Sequence, residues 1–150
     1  MQLQRECAYE RASYYSRKNN WKNAEKNWNQ FVKNKRWTGA FSAEAWYRLG
    51  ESLYNQDKKT ESLTPYIAVL GKYKSRVEFS IPAASRSASI QKSLGKNAEA
   101  YLLAHRSGLE FANYLNDRRF AQEVAKLKSI YYEFSDEHGD EKDVNPYPTD

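Results

Sequence analysis

Set against itself, the chain repeats at an offset of 38 residues, and this spacing narrows its choice of folds more than any other feature. Ala8, Trp46 and Ala84 share one column, and Ala12, Gly50 and Ala88 share the next. Tyr15 pairs with Leu53, Ala24 with Ser62 and Ala100, and Trp28 with Tyr66 and Ala104. Small side chains recur one turn from large ones, which is what two helices need where they cross closely. A unit of this length cannot bury its apolar face alone and gains stability by stacking on its neighbours, as helical hairpins do in an array.

The distribution of helix breakers agrees. The 150 residues include only six Gly and four Pro, and Pro146 and Pro148 fall in the last few positions. No alternation of β-branched residues is sustained, so the expected class is all-α. Periodic segments lie near 3–18, 20–34, 42–56, 58–74, 82–94, 96–115 and 117–134. Between them stand Asn19-Asn20, Thr38-Gly39, Gln56-Asp57, Ser80-Ile81-Pro82, Gly95 and Asn116-Asp117, all with turn chemistry. Ser42, followed by Glu44, and Asp117 are expected N-caps, and Pro82 is expected in the first turn of its helix, where a missing N–H costs little. Such short connections make neighbouring helices antiparallel. From Asp136 the chain has no apolar face. The expected organisation is therefore one helical repeat domain over 1–135 and an acidic tail over 136–150, extended or disordered.

Charge divides along the same line. Residues 1–132 carry 23 Lys and Arg against 12 Asp and Glu, whereas 133–150 carry one Lys and seven acids. A basic body suits an anionic partner surface, or a tail that folds back and screens it. Mean hydropathy of −0.95 implies a thin core. No apolar run approaches the ~20 residues that a membrane-spanning helix needs. The start, Met1-Gln2-Leu3-Gln4-Arg5-Glu6, has no apolar secretory stretch, which leaves a cytoplasmic protein as the expectation unless a leader has been removed. Cys7 is the single cysteine, so no internal disulfide forms, and a small buried helix-face role is expected for it.

Catalytic constellations are missing from the pattern. The only histidines, His105 and His138, fall in a helix and in the acidic tail, where neither accompanies a nucleophile as acyl-transfer chemistry requires. One Cys and two distant His do not make a zinc site. The Asp136–Glu141 run lacks calcium-loop spacing, and Gly95 alone is no phosphate loop. Carboxylate pairs such as Glu44 and Glu51, two turns apart on one helix face, could serve acid–base work, but no apolar pocket or substrate-binding motif accompanies them. The expectation is a protein without catalysis, cofactor or metal.

The middle unit, Ala43-Glu44-Ala45-Trp46-Tyr47-Arg48-Leu49-Gly50-Glu51-Ser52-Leu53-Tyr54, resembles the first helix of a tetratricopeptide repeat: Trp46, Leu49, Gly50 and Leu53 meet the family pattern, and Ser62 and Tyr66 take the small and large positions of the second helix. The first unit matches through Ala8, Ala12, Tyr15, Trp21, Ala24, Trp28 and Phe31; the third keeps only the small residues. The resemblance covers roughly residues 5–113, with 118–134 as a capping helix. The period is four residues longer than the usual 34, and the closing proline is absent. Units this long are similar to the bacterial envelope branch, which includes outer-membrane assembly lipoproteins and the coordinator of the Tol cell-division machinery, and that branch would imply the periplasm.

The resemblance implies a right-handed antiparallel helical-hairpin solenoid of about three hairpins plus a cap. It would act as a protein–protein interaction scaffold or assembly subunit, holding a partner segment on its concave face. Carried over by position, that face would comprise Glu6, Tyr9, Ser13, Arg17, Glu44, Tyr47, Glu51, Tyr54, Asn55, Ser85, Ser89 and Lys92, with Ser93 beside them. Tyrosines there would anchor a peptide. The alternative is a helical module for nucleic acid or another anionic polymer, with Tyr rings interleaved among Arg5, Arg11, Arg17 and Lys18.

Overall fold

The computed structural model describes residues 2–140 and 142–147, and among them every regular element is helical. Seven α-helices follow in order: α1 (Gln2–Arg17), α2 (Trp21–Lys33), α3 (Ser42–Tyr54), α4 (Lys59–Lys72), α5 (Val77–Ser93), α6 (Asn97–Glu110) and α7 (Ala121–His138). Short 3₁₀ turns at Lys35–Trp37, Ala112–Tyr114 and Arg118–Phe120 join some of them. The chain divides into two compact units, 1–80 and 81–150.

Hairpin turns repeat bond for bond. Asn19, Asp57 and Gly95 each take left-handed backbone, with φ of 55°, 63° and 76°. They stand 38 residues apart. The next residue's N–H returns to the fifth carbonyl before it in every case: Asn20 to Tyr15 at 2.9 Å, Lys58 to Leu53 at 3.0 Å and Lys96 to Gln91 at 2.9 Å. This is the helix-terminating motif that needs one left-handed residue, a role suited to Gly and tolerated by Asn and Asp. The carbonyl of that same residue then opens the following helix, accepting from Ala24, Ser62 and Ala100.

In the first unit α2 packs on α1 and α3, and α3 packs on α4. Its core joins Ala12, Ala24, Trp28, Phe31, Ala45 and Leu49, with Tyr9, Trp21, Trp37, Phe41 and Trp46 around them. Burying one such large apolar side chain contributes roughly 1.5–3 kcal/mol. Gly50 lets the Tyr66 ring of α4 pack against α3: a Cβ there would lie 2.7 Å from Tyr66 Cε1, and Tyr66 is fully buried. In the second unit α6 packs on α7, where Tyr101, His105 and Tyr131 form a stack with ring centroids 5.4–5.9 Å apart.

Several local expectations are corrected. Helix α5 opens at Val77, five residues before Pro82, because the Arg76 carbonyl accepts from Phe79 and Ser80 and starts the turn early. Pro82 thus sits inside the helix, where its ring nitrogen carries no N–H for the usual helical bond. Phe41, rather than Ser42, precedes α3 as cap, while Ser42 Oγ accepts from Gly39 N at 2.8 Å. Asp117 caps the 3₁₀ turn at Arg118–Phe120 instead of α7 directly. Helix α7 continues to His138, so part of the expected tail is helical, and residues 142–147 fold onto the second unit, with Tyr147 1% exposed. Cys7 is exposed, not buried.

Candidate functional site

Helix α3 has two neighbours to satisfy, and this decides which of its side chains meet solvent. Ala45 and Leu49 join the core shared with α1 and α2, while Tyr47 and Gly50 face Tyr66 on α4. What remains is a stripe at helical spacing, Glu44, Arg48 and Glu51. Helix α1 offers the matching stripe Tyr9, Ser13 and Ser16, with Arg17 beyond it. Together with Asn19, Trp21 and Trp28 these residues line a groove of about 460 Å³ within the first unit.

A hydrogen-bonded chain fixes the groove wall. Tyr9 Oη donates to Glu44 Oε1 at 2.7 Å. Arg48 Nε lies 3.5 Å from Glu44 Oε2, and its Nη1 donates to Glu51 at 3.1 and 3.3 Å. Tyr9 is held from behind by Phe41, stacked at 4.2 Å between ring centroids. At the floor, Trp28 Nε1 donates to Ser16 Oγ at 2.9 Å.

These contacts set the charges. Burial, then the bond and the field of Glu44, raise the Tyr9 pKa, with Ser13 offsetting part of the rise, so Tyr9 is a neutral donor. For Arg48 burial works against the charge, but Glu51 and Glu44 outweigh it and the pKa rises. Both carboxylates are thereby committed to Arg48, and Glu44 to Tyr9 as well. One charged group stays unspent, the Arg17 guanidinium, exposed and without an ion pair among the described residues, while Ser13 is buried beside Tyr9. The groove therefore offers a guest one uncommitted cation, Arg17, beside the indole rings of Trp21 and Trp28.

Of the residues expected on the binding face, Tyr9, Ser13, Arg17, Glu44 and Glu51 come together here. Glu6 is exposed on α1 outside the lining, and Asn55 is exposed at the C-cap of α3. Tyr54 is half-buried under Lys59, whose Nζ stands 5.5 Å from the ring centroid. Tyr47 departs from the expectation. It is 9% exposed and packs against Tyr66 and Phe79, at 5.6 and 5.9 Å between centroids, because that face of α3 closes on α4. Ser85, Ser89 and Lys92 belong to the second unit: Ser85 is buried, Ser89 donates to the Ser85 carbonyl at 2.9 Å, and Lys92 pairs with Glu133 at 2.6 Å.

Position-by-position transfer missed Arg48, Ser16, Asn19, Trp21 and Trp28. Arg48 had a signal, since it stands four residues after Glu44 and three before Glu51. The Ser16–Trp28 bond had none, because only the hairpin turn brings the two together. Among the described residues no three His, Cys, Asp or Glu side chains group as metal ligands, and no helix is long and apolar enough to cross a membrane.

No protein-family model, curated protein or solved structure matches the chain.

Proposed function

We propose that the chain is a non-catalytic interaction scaffold built from tetratricopeptide-like hairpins, and that the groove between α1 and α3 receives a segment of a partner protein. One observation carries this reading: a hydrogen-bonded wall of Tyr9, Glu44, Arg48 and Glu51 stands beside an exposed cation, Arg17, that makes no ion pair among the described residues. A wall whose own charges are mutually satisfied positions a guest without being consumed by it. An unspent guanidinium at its edge rewards a guest that carries acceptors or negative charge. Three identical turns at a 38-residue interval support the repeat reading. The bacterial envelope branch remains part of this proposal through sequence resemblance alone.

A second reading is favoured by α2, where Lys22, Lys26 and Lys33, followed by Lys35 and Arg36, are exposed and lack ion pairs among the described residues. Such a stripe suits a nucleic acid or another anionic polymer.

Affinity purification with and without nuclease separates the two. For the scaffold, protein partners persist through nuclease and are lost with Arg17→Glu, an exposed change that leaves circular dichroism unaltered. Partners indifferent to Arg17→Glu would remove the groove from the account. Loss of every partner on nuclease treatment, with steep salt dependence for bare oligonucleotide, would select the polyanion reading.

A further inference from the structure

Residues 142–147 sit on the second unit in the manner of a bound peptide. The segment has no helix or strand of its own, yet Tyr147 is 1% exposed. Its hydroxyl donates to the Ala104 carbonyl at 2.5 Å, and its own carbonyl accepts from Tyr132 Oη at 2.6 Å. Asn145 closes the contact, donating from Nδ2 to Tyr132 Oη and accepting through Oδ1 from Tyr147 N, both at 2.8 Å. Upstream, His105 Nε2–H donates to the Val144 carbonyl at 3.0 Å, and Tyr101 Oη donates to Asp143 Oδ2 at 3.2 Å.

The receiving face is shaped for this insertion. A Cβ on Gly108 would lie 2.6 Å from Pro146 Cγ and 2.7 Å from Tyr147 Cζ, so only glycine admits the pair. Ala104 stands in the repeat column that holds Trp28 and Tyr66 in the earlier hairpins. The aromatic ring bonded at that residue here comes from outside the hairpin. Recognition runs through backbone carbonyls of an extended segment and one anchored ring, which is how grooves read peptides.

We propose that the face of α6 and α7 formed by Tyr101, Ala104, His105, Gly108, Tyr131 and Tyr132 is a docking site for an extended partner segment presenting Asn-Pro-Tyr, and that residues 143–147 occupy it in cis. The buried phenol selects tyrosine over phenylalanine, because the hydroxyl has a fixed acceptor in the Ala104 carbonyl. The tail begins a few residues beyond the end of α7, so its effective concentration is on the order of millimolar. A partner gains access when the tail is out-competed or displaced. This site is separate from the groove of the first unit and does not rest on its reading.

The test uses the full chain and a fluorescent peptide with the sequence of residues 142–150, Lys-Asp-Val-Asn-Pro-Tyr-Pro-Thr-Asp. Tyr147→Ala, with native helix content verified, is expected to bind the peptide saturably and at least about tenfold more tightly than the unsubstituted protein, whose site is filled. Adding Gly108→Ala should abolish that binding, and a peptide with Phe for Tyr should bind about tenfold more weakly. Asn145→Ala, at an exposed position, serves as the second variant with the same expectation should Tyr147→Ala misfold. No saturable binding to a folded variant would overturn the proposal, as would binding unaffected by Gly108→Ala. A stable dimer lost on Tyr147→Ala would assign the face to a second copy and overturn it too.

Discussion

Gly50 and Gly71 stand on consecutive helices of one hairpin and carry opposite consequences. At Gly50 a Cβ meets the Tyr66 ring at 2.7–3.0 Å, and that ring is fully buried and cannot withdraw. Gly50→Leu is therefore expected to cost roughly 1–3 kcal/mol or more by overpacking. Nothing lies within 4 Å of a Cβ at Gly71, so Gly71→Ala is expected to stabilise by about 0.5–1 kcal/mol through helix propensity alone. Urea midpoints for the two variants should move in opposite directions; a Gly50→Leu midpoint equal to that of the parent would show that α3 and α4 do not cross there.

Among the elements, the three hairpin turns form a natural experiment. They share one hydrogen-bond pattern but place Asn19, Asp57 and Gly95 at the left-handed position. The Gly95 site has open space around a Cβ, so Gly95→Ala tests backbone conformation without steric interference. It should destabilise by roughly 1 kcal/mol. Asp57→Gly should stabilise by less, about 0.5 kcal/mol, because Asp already tolerates this region and Gly adds chain entropy to the unfolded state. Thermal melts read both; a neutral Gly95→Ala would mean that the turn relaxes out of its left-handed form. Helix α3 shows the complementary effect of packing: flanked by α2 and α4, it keeps a single polar stripe, and that stripe is the groove wall.

Across the whole molecule, acid and alkali act on different contacts. Asp143 has a lowered pKa, first from the Asp140 N–H that it accepts at 2.9 Å, against a smaller desolvation effect and with help from Tyr101. Its contribution to seating the tail is complete above pH 3.8 and fades as pH falls through the lowered value. Burial raises the pKa of Tyr9 in the first unit and of Tyr101 and Tyr147 in the second, Tyr101 to about 12. A raised tyrosine favours its neutral form, so this stabilisation is whole below pH 10 and lost as pH climbs through the raised values. Absorbance at 295 nm should show a late tyrosinate fraction whose appearance coincides with unfolding. A titration with no late fraction would refute the burial of these phenols.

The amino-acid order alone determined that the chain is helical, that small residues recur every 38 positions, and where most turns fall, the exception being Ser80-Ile81-Pro82, which lies inside α5. These are local or periodic properties, legible because a turn's left-handed residue and a helix's apolar spacing need no distant partner. Transfer from the tetratricopeptide resemblance put Tyr9, Ser13, Arg17, Glu44 and Glu51 on one face, but together with residues that lie elsewhere. Only tertiary contact decided that Tyr47 is withdrawn against Tyr66 and Phe79 while its neighbour Arg48 ties the groove together. The same holds for the tail, whose composition reads as solvated until the glycine at 108 and the carbonyl of Ala104 provide a seat for Tyr147. Burial on a helix flanked on both sides depends on which neighbour closes on which face, and that is a property of the folded chain, not of its spacing.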